Sequence, residues 1–156
     1  MASKAAGAGR MSERIEAFTA DHLDECARLL VSAFNAEPWN AKYTPDRANR
    51  ELDWHLRVPG CVGLVSVIGG VVAFAIGYQE PTDVGNVFHL SIFCVKPDVQ
   101  RTGVGSRLLN RLEERLGKSG VNAVYLGTNK GTPAEAFYRK HGYEVSDEEI
   151  VMSHEL

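Results

Sequence analysis

The densest apolar run in the chain is Val87-Phe88-His89-Leu90-Ser91-Ile92-Phe93-Cys94-Val95, whose β-branched and aromatic residues predict a central strand. Beyond it, Val104, Leu108, Leu112 and Leu116 recur every fourth position with Leu109 beside them, predicting a helix with one apolar face. Upstream, Ile15 to Phe18 predicts a short first strand. Thr19 or Asp21 then caps a helix carrying Leu23, Ala27, Leu30, Val31 and Phe34. Pro38-Trp39-Asn40 interrupts that periodicity, and Thr44-Pro45-Asp46 opens a second helix with Leu52 and Leu56, closed near Pro59-Gly60.

Cys61 to Ile68 and Val71 to Tyr78 form a predicted hairpin across Gly69-Gly70, with Gly77 placed to bend the second strand. Pro81-Thr82-Asp83 marks a turn before the central strand. After the long helix, Ser119-Gly120 precedes a strand from Val121 to Leu126. Pro133 to Lys140 forms a short helix ended by His141-Gly142. Tyr143-Glu144-Val145 and Glu149-Ile150-Val151-Met152 predict a last pair of strands. The order predicts one α/β domain over residues 12–156, behind a flexible tail at residues 1–11 that lacks an apolar signal core.

At 156 residues the chain suffices for one sizeable core, and 44% hydrophobic with 24% charged residues is ordinary globular composition. A formal net charge of −3 gives no global basic footprint and argues against a nucleic-acid partner. No apolar stretch reaches the length of a membrane span, so no membrane partner is expected. Cys26, Cys61 and Cys94 lack ligand-like spacing, which fits reduced thiols and a cytoplasmic location. The five histidines form no compact pattern with cysteines or carboxylates, so no metal is implied.

The chemistry concentrates where the central strand meets the long helix. Val95-Lys96-Pro97-Asp98-Val99-Gln100-Arg101-Thr102-Gly103-Val104-Gly105 joins them through small residues, and the unpaired first-turn amides of such a helix attract anions. Lys96, Arg101 and Arg107 bracket the loop and suit a phosphorylated ligand, or a solvated helix start. A P-loop is excluded because no Gly-Lys-Ser/Thr follows the glycines. A dinucleotide fingerprint requires a third glycine where Leu108 stands.

Gln100-Arg101-Thr102-Gly103-Val104-Gly105 instead resembles the acyl-coenzyme-A loop of the GNAT acetyltransferase superfamily, Gln/Arg-x-x-Gly-x-Gly/Ala. Ala134-Glu135-Ala136-Phe137-Tyr138-Arg139-Lys140-His141-Gly142-Tyr143 resembles the family's second segment, Ala-x-x-Phe-Tyr-x-Lys-x-Gly-Phe/Tyr, at every fixed position. The resemblance implies a GNAT-like acyl-CoA N-acyltransferase fold, a mixed and mostly antiparallel sheet flanked by helices. It also implies acetyl-CoA as co-substrate, with its diphosphate on Arg101, Thr102, Gly103, Val104, Gly105 and Ser106 beside Gln100, and its pantetheine arm along Phe93, Cys94 and Val95.

In the family the central strand often carries a bulge and splays from the following strand. The Cys94–Val95 backbone then polarises the thioester carbonyl. Asn129 matches the asparagine that meets the pantetheine arm, and equally suits a turn before Pro133. Tyr138 matches the tyrosine near the coenzyme sulfur, with a phenol able to protonate the departing thiolate. A proton must also leave the attacking amine, for which Glu37, His89 and Ser91 are the candidates. Glu37-Pro38-Trp39-Asn40 with Tyr43 resembles the acceptor-side loop of bacterial enzymes related to aminoglycoside acetyltransferases, which points to a small primary amine. Acetylation of a protein lysine or N-terminus, or a catalytically weak acetyl-CoA-binding module, are the alternatives. Family enzymes often dimerise, which admits a homodimer.

Overall fold

The structure is a computed structural model describing residues 11–156, so the expected tail lies outside the described residues except for Met11. The chain divides into two compact units, one running through Leu126 and the other Gly127–Leu156.

In the first unit, β1 (Arg14–Ala17) leads through a 3-10 turn at Ala20–His22 into α1 (Leu23–Phe34). α2 (Pro45–Arg57), β2 (Cys61–Val67), β3 (Val71–Thr82) and β4 (Gly85–Val95) follow, then a second 3-10 turn at Pro97–Val99, α3 (Val104–Lys118) and β5 (Val121–Tyr125). The sheet order is β1-β2-β3-β4-β5, antiparallel through β4, with β5 parallel to β4. This is the mixed, mostly antiparallel sheet flanked by helices that the resemblance implies.

One core cluster joins Cys26, Leu29 and Leu30 of α1, Ala48 and Leu52 of α2, Val65 of β2, Phe74 and Ile76 of β3, and Ile92 and Cys94 of β4. α3 buries Val104, Leu108, Leu109, Leu112 and Leu116 and packs on β2, β3 and β4. Thr44 caps α2 as its sequence predicts, its Oγ1 accepting from Arg47 N at 3.2 Å with Pro45 in the first turn.

The β3–β4 ladder slips once. Ile76 pairs with Ile92 but Gly77 pairs with Leu90, leaving Ser91 as the extra residue of a bulge in β4. A Cβ on Gly77 would stand 2.0 Å from the His89 carbonyl oxygen, so only glycine lets the two backbones approach here. Because Ile76 and Gly77 point to opposite faces, their partners Ile92 and Leu90 do too. His89, opposite Tyr78, thus shares the face of Ile76 and of α1 and α2.

Two expectations are corrected. β3 does not turn at Pro81-Thr82-Asp83 but pairs with β4 as far as Thr82 opposite Gly85. β2 has already ended opposite Tyr78, so the missing N–H of Pro81 breaks no ladder bond on that side. The last pair of strands is not formed. Residues 143–145 and 149–152 are irregular, and Ile150, Val151 and Met152 are exposed, because their own unit offers no strand for them to pair with. That second unit holds α4 (Pro133–Lys140) as its regular element, capped by Thr132 Oγ1, which accepts from Glu135 N at 3.3 Å.

Gly77→Ala is expected to destabilise the protein by about 1–3 kcal/mol, since the added methyl meets backbone that cannot yield without moving β4. Thr44→Ala is expected to cost about 1 kcal/mol through loss of a cap. Denaturant unfolding checks both.

Candidate functional site

β4 is covered on one side by β3 along its length, but β5 pairs with it only from Asn86 to His89. Past His89 and Tyr125 the parallel ladder stops, so β5 does not continue alongside Leu90 to Val95. This is the splay and bulge implied by the resemblance. Phe93 is half-buried, and Val95 O accepts from Gln100 Nε2 at 3.1 Å. Cys94 is a core residue, 1% exposed, with its thiol 3.8 Å from Leu29 O and its pKa pushed up by burial. Its side chain is therefore no nucleophile, and only its backbone is open to a role.

β4 runs directly into the anion loop. Arg101 (φ 65) and Gly103 (φ 87) are both left-handed, and Thr102 Oγ1 donates to Val99 O at 2.5 Å between them. Gly103 is the N-cap residue of α3, and no side chain caps this helix, whereas threonines cap α2 and α4. The first-turn amides from Val104 to Ser106 thus have no side-chain cap among the described residues. With the positive end of the helix dipole behind them, these groups favour an anion.

On the α1 and α2 face, β3, β4 and β5 align Tyr78, His89 and Tyr125 as a lateral row. The His89 ring stacks on Tyr125 at 4.7 Å and 18° and meets Tyr78 edge-on at 5.2 Å. Ser91 Oγ lies 3.4 Å from His89 Nδ1, so the bulge residue and the histidine come together. Tyr125 OH donates to Glu80 Oε2 at 3.0 Å, and burial with this bond pushes its pKa up to about 12. Burial lowers the His89 pKa below 6.5, and nearby His55 adds to that, while Glu80 opposes both. A neutral imidazole is thereby favoured at pH 7. Tyr78, Glu80, His55 and Tyr125 were not singled out by sequence. Tyr78 and Glu80 share a strand face by spacing, but the bulge decides what they oppose.

The loop between α1 and α2 closes on itself. Trp39 stacks on Phe34 at 5.5 Å, and Tyr43 meets Phe34 edge-on at 6.5 Å. Asn35 holds the Tyr43 backbone by donating to its O and accepting from its N, both at 2.9 Å. Tyr43 OH donates to Glu51 Oε2 at 2.7 Å, and its pKa is pushed up to about 12 by burial and this bond. Asn40 is exposed with φ 48. Glu37 is exposed and makes no hydrogen bond or ion pair among the described residues. The structure thus joins Trp39 and Tyr43 through Phe34 but gives Glu37 no link to His89.

In the second unit, Asn129 O accepts from Thr132 Oγ1 at 2.7 Å, which ties its backbone to the turn before α4 and leaves its side chain exposed. Glu135 accepts from Gly131 N and Arg139 Nε, which hold its carboxyl below the usual range. The Tyr138 ring packs on Phe137 at 5.3 Å and Tyr143 at 5.5 Å, and burial raises its phenol pKa. Such a phenol stays protonated across the neutral range.

Among the described residues, no three His, Cys, Asp or Glu side chains gather as a metal site would require, and no helix is long and apolar enough to cross a membrane. In a histidine NMR titration, His89 is expected to titrate below 6.5. Glu80→Gln should lower it further, because the removed charge is the one that favours the imidazolium.

The chain is similar over 102 residues, at 28% identity, to the L-2,4-diaminobutyric acid acetyltransferase of Nocardia farcinica, a match covering 62% of this chain and 52% of that protein. The chain thus spans about half the length of the curated relative it matches. A crystal structure of a possible acetyltransferase from Clostridium difficile superimposes with a TM-score of 0.79 at 19% identity, covering 92% of this chain and 98% of that one. An aminoglycoside N-acetyltransferase solved in complex with CoA does so with a TM-score of 0.75 at 16% identity, covering 97% and 99%. Residues 21–143 match the Acetyltransferase (GNAT) family from within the first helical turn to Tyr143, and the chain belongs to that family.

Proposed function

We propose that residues 12–156 act as an acetyl-CoA-dependent N-acetyltransferase that moves an acetyl group to the primary amine of a small molecule. The observation that carries this reading is that β4, which β5 leaves past His89, leads through the glycine loop into the α3 N-terminus, which has no side-chain cap among the described residues. The α3 amides and the loop from Gln100 to Ser106 would hold the diphosphate, and Phe93 to Val95 would flank the pantetheine arm. Acetyl-CoA, when bound, supplies an activated thioester. The Cys94–Val95 backbone would donate to the thioester oxygen as negative charge develops there.

His89 is the base favoured here, because its lowered pKa leaves it neutral and Ser91 and the tyrosines fix its ring. An ammonium has no free lone pair, so His89 would accept its proton, directly or through water. Tyr138, carried by the Ala134 to Tyr143 motif, would donate a proton to the departing thiolate, and its raised pKa keeps that proton available. Asn129 would meet the pantetheine arm. Trp39, Asn40, Tyr43 and the unpartnered Glu37 remain the acceptor-side candidates, with Glu37 suited to a cationic amine.

The small-molecule class is supported by the diaminobutyric acid acetyltransferase relative and by the family's acceptor-loop pattern. A mass-resolved screen of acetyl-CoA with free amines and with peptides tests it. Acetylated free amines are the expected product, and reaction confined to peptides would reject the class.

With an identified amine, His89→Phe and Tyr138→Phe are each expected to slow the chemical step by about 10²–10⁴-fold, read as thiol release. For the parent, kcat/KM should fall as pH drops through the His89 pKa, on the acid side of 6.5, because protonation removes the base. That acid limb should disappear in His89→Phe.

A further inference from the structure

We propose that Glu13, which precedes β1, is a positioning residue for the coenzyme loop and acts through Arg107; this rests on the reading of that loop as the CoA site. Both oxygens of the Glu13 carboxylate are committed. Oε1 accepts from Ser66 Oγ at 2.6 Å, and Ser66 is fully buried in β2. Oε2 accepts from Arg107 Nε at 2.5 Å, with the Glu13 side chain 17% exposed. A carboxylate held between a buried hydroxyl and a guanidinium has little freedom, so it fixes where the arginine points.

Arg107 lies in the first turn of α3, and its Nη1 is 3.5 Å from Thr102 O. The same Nη1 would sit 2.8 Å from a Cβ on Gly103. The guanidinium therefore lies against the two residues that set the start of α3, one of them left-handed at φ 87. A cation at a helix N-terminus opposes the helix dipole, and Glu13 offsets that penalty while keeping the fork against the loop. Loop order at Thr102 and Gly103 is what aims the amides from Val104 to Ser106.

The sign of the effect separates positioning from bulk charge. If Glu13 acted only as a negative charge near an anion site, its removal would strengthen CoA binding. If it positions Arg107, removal weakens binding although a repulsive charge has gone.

Calorimetry with CoA on the parent, Glu13→Gln, Arg107→Gln and the double variant tests this, with thermal unfolding to confirm that each is folded. Glu13→Gln is expected to weaken CoA binding by about three- to ten-fold and to raise KM for acetyl-CoA without raising it for the amine. In the Arg107→Gln background, Glu13→Gln should have no further effect.

Unchanged or tighter binding in Glu13→Gln, or full additivity in the double variant, would overturn the positioning role while leaving the loop reading intact. A parent that binds no CoA would overturn both. If Glu13→Gln does not fold, Arg107→Lys serves instead. It retains the charge beside Glu13 but loses the fork that reaches Thr102, and should weaken CoA binding in the same direction; parent-like affinity would overturn the role.

Discussion

The approach of the Gly77 backbone to His89 is the constraint on which the site depends. Nothing larger than a hydrogen fits at that crossing, and the ladder accommodates it by giving β4 one residue more than β3. The slip reverses which face each later side chain of β4 meets. Leu90 faces away from α1 and α2, while Ile92 and Cys94 enter their core cluster. The bulge also marks where β4 parts from β5, since the parallel ladder ends at His89. One local crowding point thereby sets the orientation of His89, the place where Ser91 meets it and the point where β5 leaves β4.

The anion loop depends on a different economy of contacts. α2 and α4 satisfy their first turns with threonine side chains, while α3 begins at a left-handed glycine that brings no acceptor. Its order comes from outside the helix, through the Thr102 hydroxyl on Val99 O, the Gln100 amide on Val95 O and the Arg107 guanidinium held by Glu13.

Local signals in the sequence carried far. The Thr44-Pro45 start of α2, the Pro133 start of α4, the hairpin at Gly69-Gly70 and the glycine loop before α3 are short-range chemistry, and each appears where its residues predict it. The row of Tyr78, His89 and Tyr125 could not be read the same way. A regular strand would put His89 on the face of Phe93 and Val95, and only the Ile76/Gly77 slip separates them. Apolar content alone misled at the C-terminus, where Ile150, Val151 and Met152 have strand propensity but no partner in their unit. The loop between α1 and α2 was legible in residue type more than in contact, because Trp39 and Tyr43 engage Phe34 and Glu51 first.

The cysteines acquire a meaning from the chemistry proposed around them. An acetyl thioester can pass its acetyl group to a cysteine thiolate, releasing the coenzyme thiol in exchange. Cys26 and Cys94 are buried and Cys61 is half-buried, and burial raises all three pKa values, so the thiolate needed for exchange is scarce. The fold would thus keep an acyl donor beside it without being acetylated on its own thiols.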